Sequence, residues 1–460
     1  MKPDWIQITA KGAISKANGS PATPDELKTI AQQMAADAVY GTFGEFPDYL
    51  QDKWETKPED LVEVQVDRDR EEDPTFYVKF GLNPTLYDIT KGGLQHLFGV
   101  LAGDLFFLRI PDFSIRDFHV TDVQFPQSFL DGVGAEFRPN AHKVNTIRSD
   151  FKLHSSEPLL AFSFKPRVGL KRAAISQITL GVLEAGFNIV EFDTRYLDLS
   201  DTNIAFLLEL SKTAATIGGK KRITRLSPNL SIAAPLAIEL CARFIQTSDA
   251  PHVVKVDGGF DGISTVQAIR QSFRGEYSPI ITCYPLLREQ LRSKIPEDTF
   301  VQALAHSGVD IIYPGQSPSI GKGARELGTL DPKAVGVATE RYWKFVRAGW
   351  PMVTLAGGVY AGQLHALFEL VGPDVAYFLG GAVSLHHKGP IEGAKLCVKI
   401  FQEAAGLHDR NAHLVKDFPD GLITEIEKAY PRPAGTDQNA FPYVSPKDLM
   451  ATVPSLTRWP

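Results

Sequence analysis

The chain has 460 residues, 43% of them hydrophobic and 22% charged, the proportions of an ordinary soluble globular protein. That length accommodates two domains or one elaborated barrel. A net charge of −6 without a long basic run argues against nucleic acid as a partner, and no apolar run approaches the ~20 residues that cross a bilayer.

The N-terminus lacks a basic-then-apolar secretory pattern. Cys241, Cys283 and Cys397 are widely spaced and form neither a disulfide framework nor a CxxC metal site. A reduced, cytoplasmic protein with packing cysteines is expected.

Residues 1–22 are polar and predict no strong element. Thr23-Pro24-Asp25-Glu26 opens a helix running to about residue 38: Thr23 caps, Pro24 suits the first helical position, and Glu26 completes a capping box. Tyr40-Gly41-Thr42-Phe43-Gly44 reads as a glycine-flanked turn. Residues 61–66 alternate like a half-buried strand and pair with 75–80. A helix over 91–101 and strands over 105–110 and 113–123 follow. These elements predict a small N-terminal α+β domain over 1–135, followed by a polar, turn-rich linker over 136–157.

From residue 158 strands and helices alternate. Strands are expected at 159–164, 188–193, 222–227, 253–257, 279–284, 309–313, 351–356 and 376–380. Eight such units predict an α/β barrel of the (β/α)8 type over 158–430, with a Pro-rich tail over 431–460. The competing open doubly wound sheet lacks a GxGxxG after an early strand.

Such barrels place chemistry at the C-terminal ends of their strands. Lys165 ends the first strand and is a candidate acid–base group, because desolvation there lowers a lysine pKa towards a useful value. Glu191 and Asp193 end the second. Gly357-Gly358 and Gly380-Gly381 follow the last two strands, where glycine lets backbone N–H groups approach a phosphate. Lys322 lies in a glycine-flanked loop after the sixth strand and suits a mobile lid bringing a cation to an anion. Asp257 and Asp310 read as buried structural carboxylates, and His386 and His387 as either mouth or surface residues.

Together these features resemble the large subunit of ribulose bisphosphate carboxylase (RuBisCO), in its non-carboxylating RuBisCO-like (form IV) branch. The resemblance covers roughly residues 23–410. It rests on Phe164-Lys165-Pro166-Arg167 with Gly169-Leu170, the Lys322 loop, the two glycine turns, and Gly41-Thr42-Phe43, similar to the family's Gly-Thr-Trp. It implies a ferredoxin-like N-terminal domain and a homodimer in which the Thr42 segment reaches the partner's active site.

The departures shape the implied function. The family's carboxylases read Lys-Asp-Asp-Glu after the second strand, where a carbamylated lysine and two carboxylates hold Mg²⁺. Here the run is Glu191-Phe192-Asp193-Thr194, so no carbamylated lysine forms. Tyr284-Pro285, Tyr313 and Ala356 replace the histidines, arginine and serine of one phosphate site. Thr42, Phe43, Lys322, Gly357, Gly358, Gly380 and Gly381 retain the other.

The resemblance therefore implies a non-carboxylating enzyme that enolises or isomerises a phosphorylated keto-sugar-like substrate, as in methylthioribose salvage, or carries out a related decarboxylation or carbon–carbon cleavage. Lys165, Lys322 and Asp193 are the expected catalytic residues. A weak or absent divalent site is expected at Glu191 and Asp193. Either Mg²⁺ binds there with substrate, or Lys165 or Arg167 neutralises one carboxylate and the site is metal-free. The alternatives are a catalytically silent phosphosugar-binding or regulatory protein, and a metal-free Schiff-base barrel using Lys165.

Overall fold

The structure is a computed structural model that describes residues 2–16, 18–40, 62–67, 75–87, 97, 113–137, 142–165, 170–192, 199–249, 251–258, 262–284, 294–314, 332–357, 359–407, 418–430 and 445. The chain divides into one unit of residues 1–139 and 286–308 and a second of residues 140–285 and 309–460.

The first unit contains β1 (Ile6–Lys16), α1 (Pro24–Tyr40), β2 (Val62–Asp67), β3 (Thr75–Leu82), β4 (Phe113–Gln124) and α2 (Gln127–Phe137). The strands pair antiparallel in the order β2-β3-β1-β4, a ferredoxin-like sheet. β1 corrects the expectation for residues 1–22: it is a central strand. Ile6, Ile8, Ala10, Gly12 and Ile14 alternate with half-buried neighbours, the period of a strand with one covered face. The small Ala10 and Gly12 dilute the apolar signal in the sequence. Gly12 has a packing reason, since a Cβ there would stand 2.8 Å from Phe118 and 3.1 Å from Phe76. Those two rings stack with centroids 6.0 Å apart.

The capping box of α1 forms in both directions. Thr23 N donates to Glu26 Oε2 at 2.7 Å, and Glu26 N donates to Thr23 Oγ1 at 3.3 Å. Lys16 adds an ion pair to Glu26 at 2.8 Å. Hydrogen bonding from Lys16, then from the Thr23 backbone, brings the Glu26 carboxyl down to about 2. Leu27, Ile30, Ala31 and Met34 form the buried stripe of this helix. Of the helix expected at 91–101, only Leu97 is described, helical and buried; the strand expected at 105–110 lies outside the described residues.

The second unit opens with α3 (Val144–Asp150) and continues through β5 (Leu159–Ser163), α4 (Arg172–Ala185), β6 (Ile189–Phe192), α5 (Asp201–Ile217), β7 (Arg225–Pro228), α6 (Ala234–Ile245), β8 (Val253–Lys255), α7 (Gly262–Ser272) and β9 (Ile280–Cys283). The next helix, α8 (Glu297–His306), groups with the first unit, where it packs on α2. The barrel unit resumes with β10 (Ile311–Ile312), α9 (Pro332–Ala348), β11 (Met352–Leu355), α10 (Leu364–Val371), β12 (Ala376–Phe378), α11 (Gly381–Ser384), α12 (Pro390–Leu407) and α13 (Asp420–Ala429).

All eight expected barrel strands form, the third displaced from 222–227 to Arg225–Pro228. They run parallel in the order β7-β6-β5-β12-β11-β10-β9-β8. A bridge between Asn229 and Lys255, with Leu230 N donating to Lys255 O at 2.7 Å, closes β7 onto β8. The fold is a (β/α)8 barrel.

From residue 142 on, the expected linker is built into this barrel, while residues 136 and 137 end α2 in the first unit. Val144, Ile147 and Phe151 pack in one core with Leu159, Ile189, Val253, Ile280, Ile311, Met352 and Ala376, the first residues of seven strands. Helix α3 therefore covers the N-terminal end of the barrel with apolar side chains. Asp310 belongs to the same end and is structural, as expected. It pairs with the fully buried Arg270 guanidinium and accepts from Ile281 N at 2.7 Å and His142 N at 2.6 Å. The tail expected at 431–460 lies outside the described residues apart from Ser445.

Candidate active site

Strand periodicity converts the apolar floor into a polar mouth. Inward positions recur every second residue, so Leu159 leads to Ala161 and Ser163, Ile189 to Glu191, Val253 to Lys255, Ile280 to Thr282, and Met352 to Thr354. The bottom residues of these series are in the barrel core, and the top ones carry hydroxyls and charges.

Three of the charges form a buried cluster. Lys255 Nζ lies 2.8 Å from Glu191 Oε1 and 3.5 Å from Asp257 Oδ1. Ser163 Oγ donates to the same Glu191 oxygen at 2.9 Å. Asn229 Nδ2 donates to Asp257 Oδ2 at 2.9 Å, and Asp257 N donates to Ser231 Oγ at 2.7 Å. Buried charges persist where they are paired and hydrogen-bonded, and this cluster satisfies that condition with one cation between two carboxylates.

A small cavity of about 40 Å³ adjoins the cluster, lined by Ser163, Glu191, Lys255, Thr282, Tyr313 and Thr354 among others. Tyr284 and Tyr313 put their rings 5.1 Å apart at its edge. Cys283 also lines it, but burial pushes its thiol well above the ordinary range, so it packs rather than reacts.

Lys165 is half-buried just past β5. Its Cε lies 3.5 Å from where a Gly380 Cβ would stand, and its carbonyl accepts from Ser384 Oγ at 3.3 Å. The structure thus brings the candidate acid–base lysine against the glycine turn after β12. Gly357 has φ +77°, a conformation that favours glycine, and a Cβ there would meet the Tyr313 hydroxyl at 3.5 Å. Gly381 opens α11 and is exposed. Thr42, Phe43, Asp193, Lys322 and Gly358 lie outside the described residues.

One reading of a single residue changes. Asp257, expected as a structural carboxylate, belongs to the mouth cluster. His386 and His387 stack on each other at 4.8 Å, and His387 N donates to the Ala429 carbonyl at 3.0 Å, which ties them to the end of α13. Lys255 escaped the sequence reading altogether. Its signal was present: a lysine inside Val253-Val254-Lys255-Val256 is a charge in a strand buried on both faces, and such a charge needs a partner.

The resemblance implies Mg²⁺ at this mouth. Mg²⁺ demands a near-octahedral shell of oxygens. Glu191, which the resemblance aligns with the carbamylated lysine, gives Oε1 to the Lys255 ammonium and the Ser163 hydroxyl. The ammonium stands between Glu191 and Asp257, the place of a cation. These residues do not fit a Mg²⁺ bound through Glu191. Among the described residues Lys255 pairs with Glu191; the expected Arg167 and Asp193 lie outside the described residues.

No family model matches the chain. In sequence it is similar to a ribulose bisphosphate carboxylase of Methanocaldococcus jannaschii, with 22% identity over 389 residues, 81% of this chain and 87% of the relative. The large chain of Xanthobacter autotrophicus is 21% identical over 74% of this chain and 70% of its own length. Among solved structures, octameric RuBisCO of Pyrococcus horikoshii matches with a TM-score of 0.69 and 16% identity over 93% of this chain and 94% of that one. A RuBisCO-like protein (MtnW) of Alicyclobacillus acidocaldarius matches with a TM-score of 0.65 and 18% identity over 88% of this chain and 94% of that one. The chain is similar to RuBisCO large chains at low identity, and its fold is the ferredoxin-like domain and barrel of RuBisCO and of a RuBisCO-like protein.

Proposed function

We propose that this chain is a non-carboxylating, RuBisCO-like (form IV) enzyme that enolises or isomerises a ketose-like monophosphate. The observation that carries this reading is the buried Lys255–Glu191 pair at 2.8 Å. The resemblance aligns Glu191 with the carbamylated lysine, and an ammonium pairs with it here. A barrel mouth holding a fixed positive charge, with an acid–base lysine at the end of β5, suits proton abstraction beside a carbonyl, in which negative charge develops on oxygen.

In this reading Lys165 moves the carbon-bound proton. The Gly357-Gly358 and Gly380-Gly381 turns, with Lys322, hold the phosphate. Asp193 orients the reacting end of the substrate. A cytoplasmic homodimer in which Thr42 and Phe43 complete the neighbouring site is part of the same proposal, and sedimentation showing a monomer with full ligand affinity would contradict it. The test of the chemistry is hydrogen–deuterium exchange: ketose monophosphates in D₂O should gain deuterium beside the carbonyl with the wild type and not with Lys165→Ala. Binding of these compounds without exchange would favour the silent binding protein.

A further inference from the structure

We propose that the Lys255 ammonium takes the place and the role of the divalent cation, so that enolate stabilisation in this barrel is metal-independent. The proposal rests on the enolisation reading above and names the group that stabilises the enolate.

The placement follows from the strand. Val253 points into the apolar core, so Lys255, two residues on, projects towards the same axis one level nearer the mouth. The side chains of Lys255, Glu191 and Asp257 are 8%, 7% and 1% exposed, so water screens these charges little. Two carboxylates, Glu191 in β6 and Asp257 two residues past Lys255, hold Nζ, and Ser163 and Asn229 hydrogen-bond to those carboxylates in turn. A charge held this way needs no reorganisation as a reaction proceeds.

A second observation points to a ligand at the same place. Thr354 Oγ1 lines the cavity that Lys255 lines, and it is buried without a hydrogen-bond partner among the described residues. Buried hydroxyls are seldom left so. An oxygen atom in the cavity would accept from Thr354 and face Lys255. The space of about 40 Å³ suits a carbonyl oxygen and its carbon.

The step balances without a co-reactant. A base takes the proton from the carbon beside the carbonyl. The C–H electron pair becomes the new C=C bond, and the carbonyl π pair moves onto the oxygen. One negative charge appears on that oxygen, opposite Nζ. Return of the proton to the former carbonyl carbon, with the hydroxyl proton passing between the two oxygens, completes an isomerisation. Nothing is oxidised or reduced overall.

The test uses the full-length protein and two readouts. Calorimetric titration with Mg²⁺ alone should give no binding heat for the wild type. It should give binding for Lys255→Met, in which Glu191 and Asp257 are left to hold a cation. In D₂O exchange with a ketose monophosphate, the wild type should keep its rate within twofold after EDTA treatment. Lys255→Met should lose at least a hundredfold in kcat with KM within threefold. If the single variant does not fold, Lys255→Met with Asp257→Asn removes one charge of each sign and serves for the exchange assay. Mg²⁺ binding by the wild type, exchange that chelation abolishes and Mg²⁺ restores, or borohydride trapping of substrate on Lys255 would each overturn the proposal. If the wild type exchanges no ketose monophosphate, the enolisation reading fails, while the calorimetric comparison still decides the assignment of Lys255.

Discussion

Lys255 closes β8 and Glu191 lies within β6, with β7 between them, yet Nζ and Oε1 meet at 2.8 Å across the mouth of the barrel. Breaking a buried pair by removing one partner costs about 3–5 kcal/mol, so the contact holds the barrel together as well as shaping its site. It also sets what the site can bind, because a carboxylate already paired with an ammonium has little left to offer a metal.

The protein should not fix CO₂ on ribulose bisphosphate, even with bicarbonate and Mg²⁺ in excess. Glu191 cannot be carbamylated, and Lys255 holds its carboxylate. Labelled bicarbonate appearing in phosphoglycerate above background would contradict this.

Gly381→Asp should weaken binding of a phosphorylated ligand at least tenfold, since it adds a negative charge where backbone N–H groups are proposed to face the anion. The folded state should tolerate it, because among the described residues a Cβ at Gly381 meets only Leu385 Cδ1, at 3.7 Å. Lys322→Ala should weaken binding less. Thermal-shift titration with a ketose monophosphate measures both, and wild-type affinity in both variants would place the phosphate elsewhere.

Much of the barrel was legible because parallel strands buried on both faces read as apolar runs; the third strand, Arg225–Pro228, has no such run and was expected three residues too early. β1 was not legible, because its covered face uses Ala10 and Gly12, whose value lies in fitting Phe76 and Phe118 rather than in their own hydropathy. Helix α3 hid in a polar stretch because the only large apolar side chains it buries are Val144 and Ile147, with Phe151 at its C-terminal cap. In the site, Glu191 and Lys165 were readable from strand ends. The Lys255 contact was not, since it joins residues 64 positions apart whose meeting depends on barrel closure.

Gly12→Val should destabilise the N-terminal unit by about 1–3 kcal/mol, the usual cost of overpacking. Its Cβ alone would stand 2.8 Å from the Phe118 ring, so the ring must move. A urea midpoint unchanged from wild type would show that the Phe76–Phe118 stack yields freely.

Stability of the barrel unit should fall on mild acidification. Burial brings His365 down to about 4, and burial with the Arg225 charge does the same for His252. Both are depressed in the folded state relative to an unfolded histidine near ~6.5. The unfolded chain therefore binds more protons below that value, and stability is lost as pH falls from about 6.5 towards 4, by up to about 3 kcal/mol for each residue. His365→Phe keeps an aromatic ring against Phe418 and should flatten part of this dependence. Equal urea midpoints at pH 7 and pH 5 for the wild type would refute the assignment.

The most direct measurement of the proposed function is NMR of a ketose monophosphate incubated with the full-length protein in D₂O. The expected result is deuterium entering at the carbon beside the carbonyl with the wild type, and loss of that exchange in Lys165→Ala. A ketose monophosphate that binds to the wild type and keeps all its carbon-bound protons would contradict it.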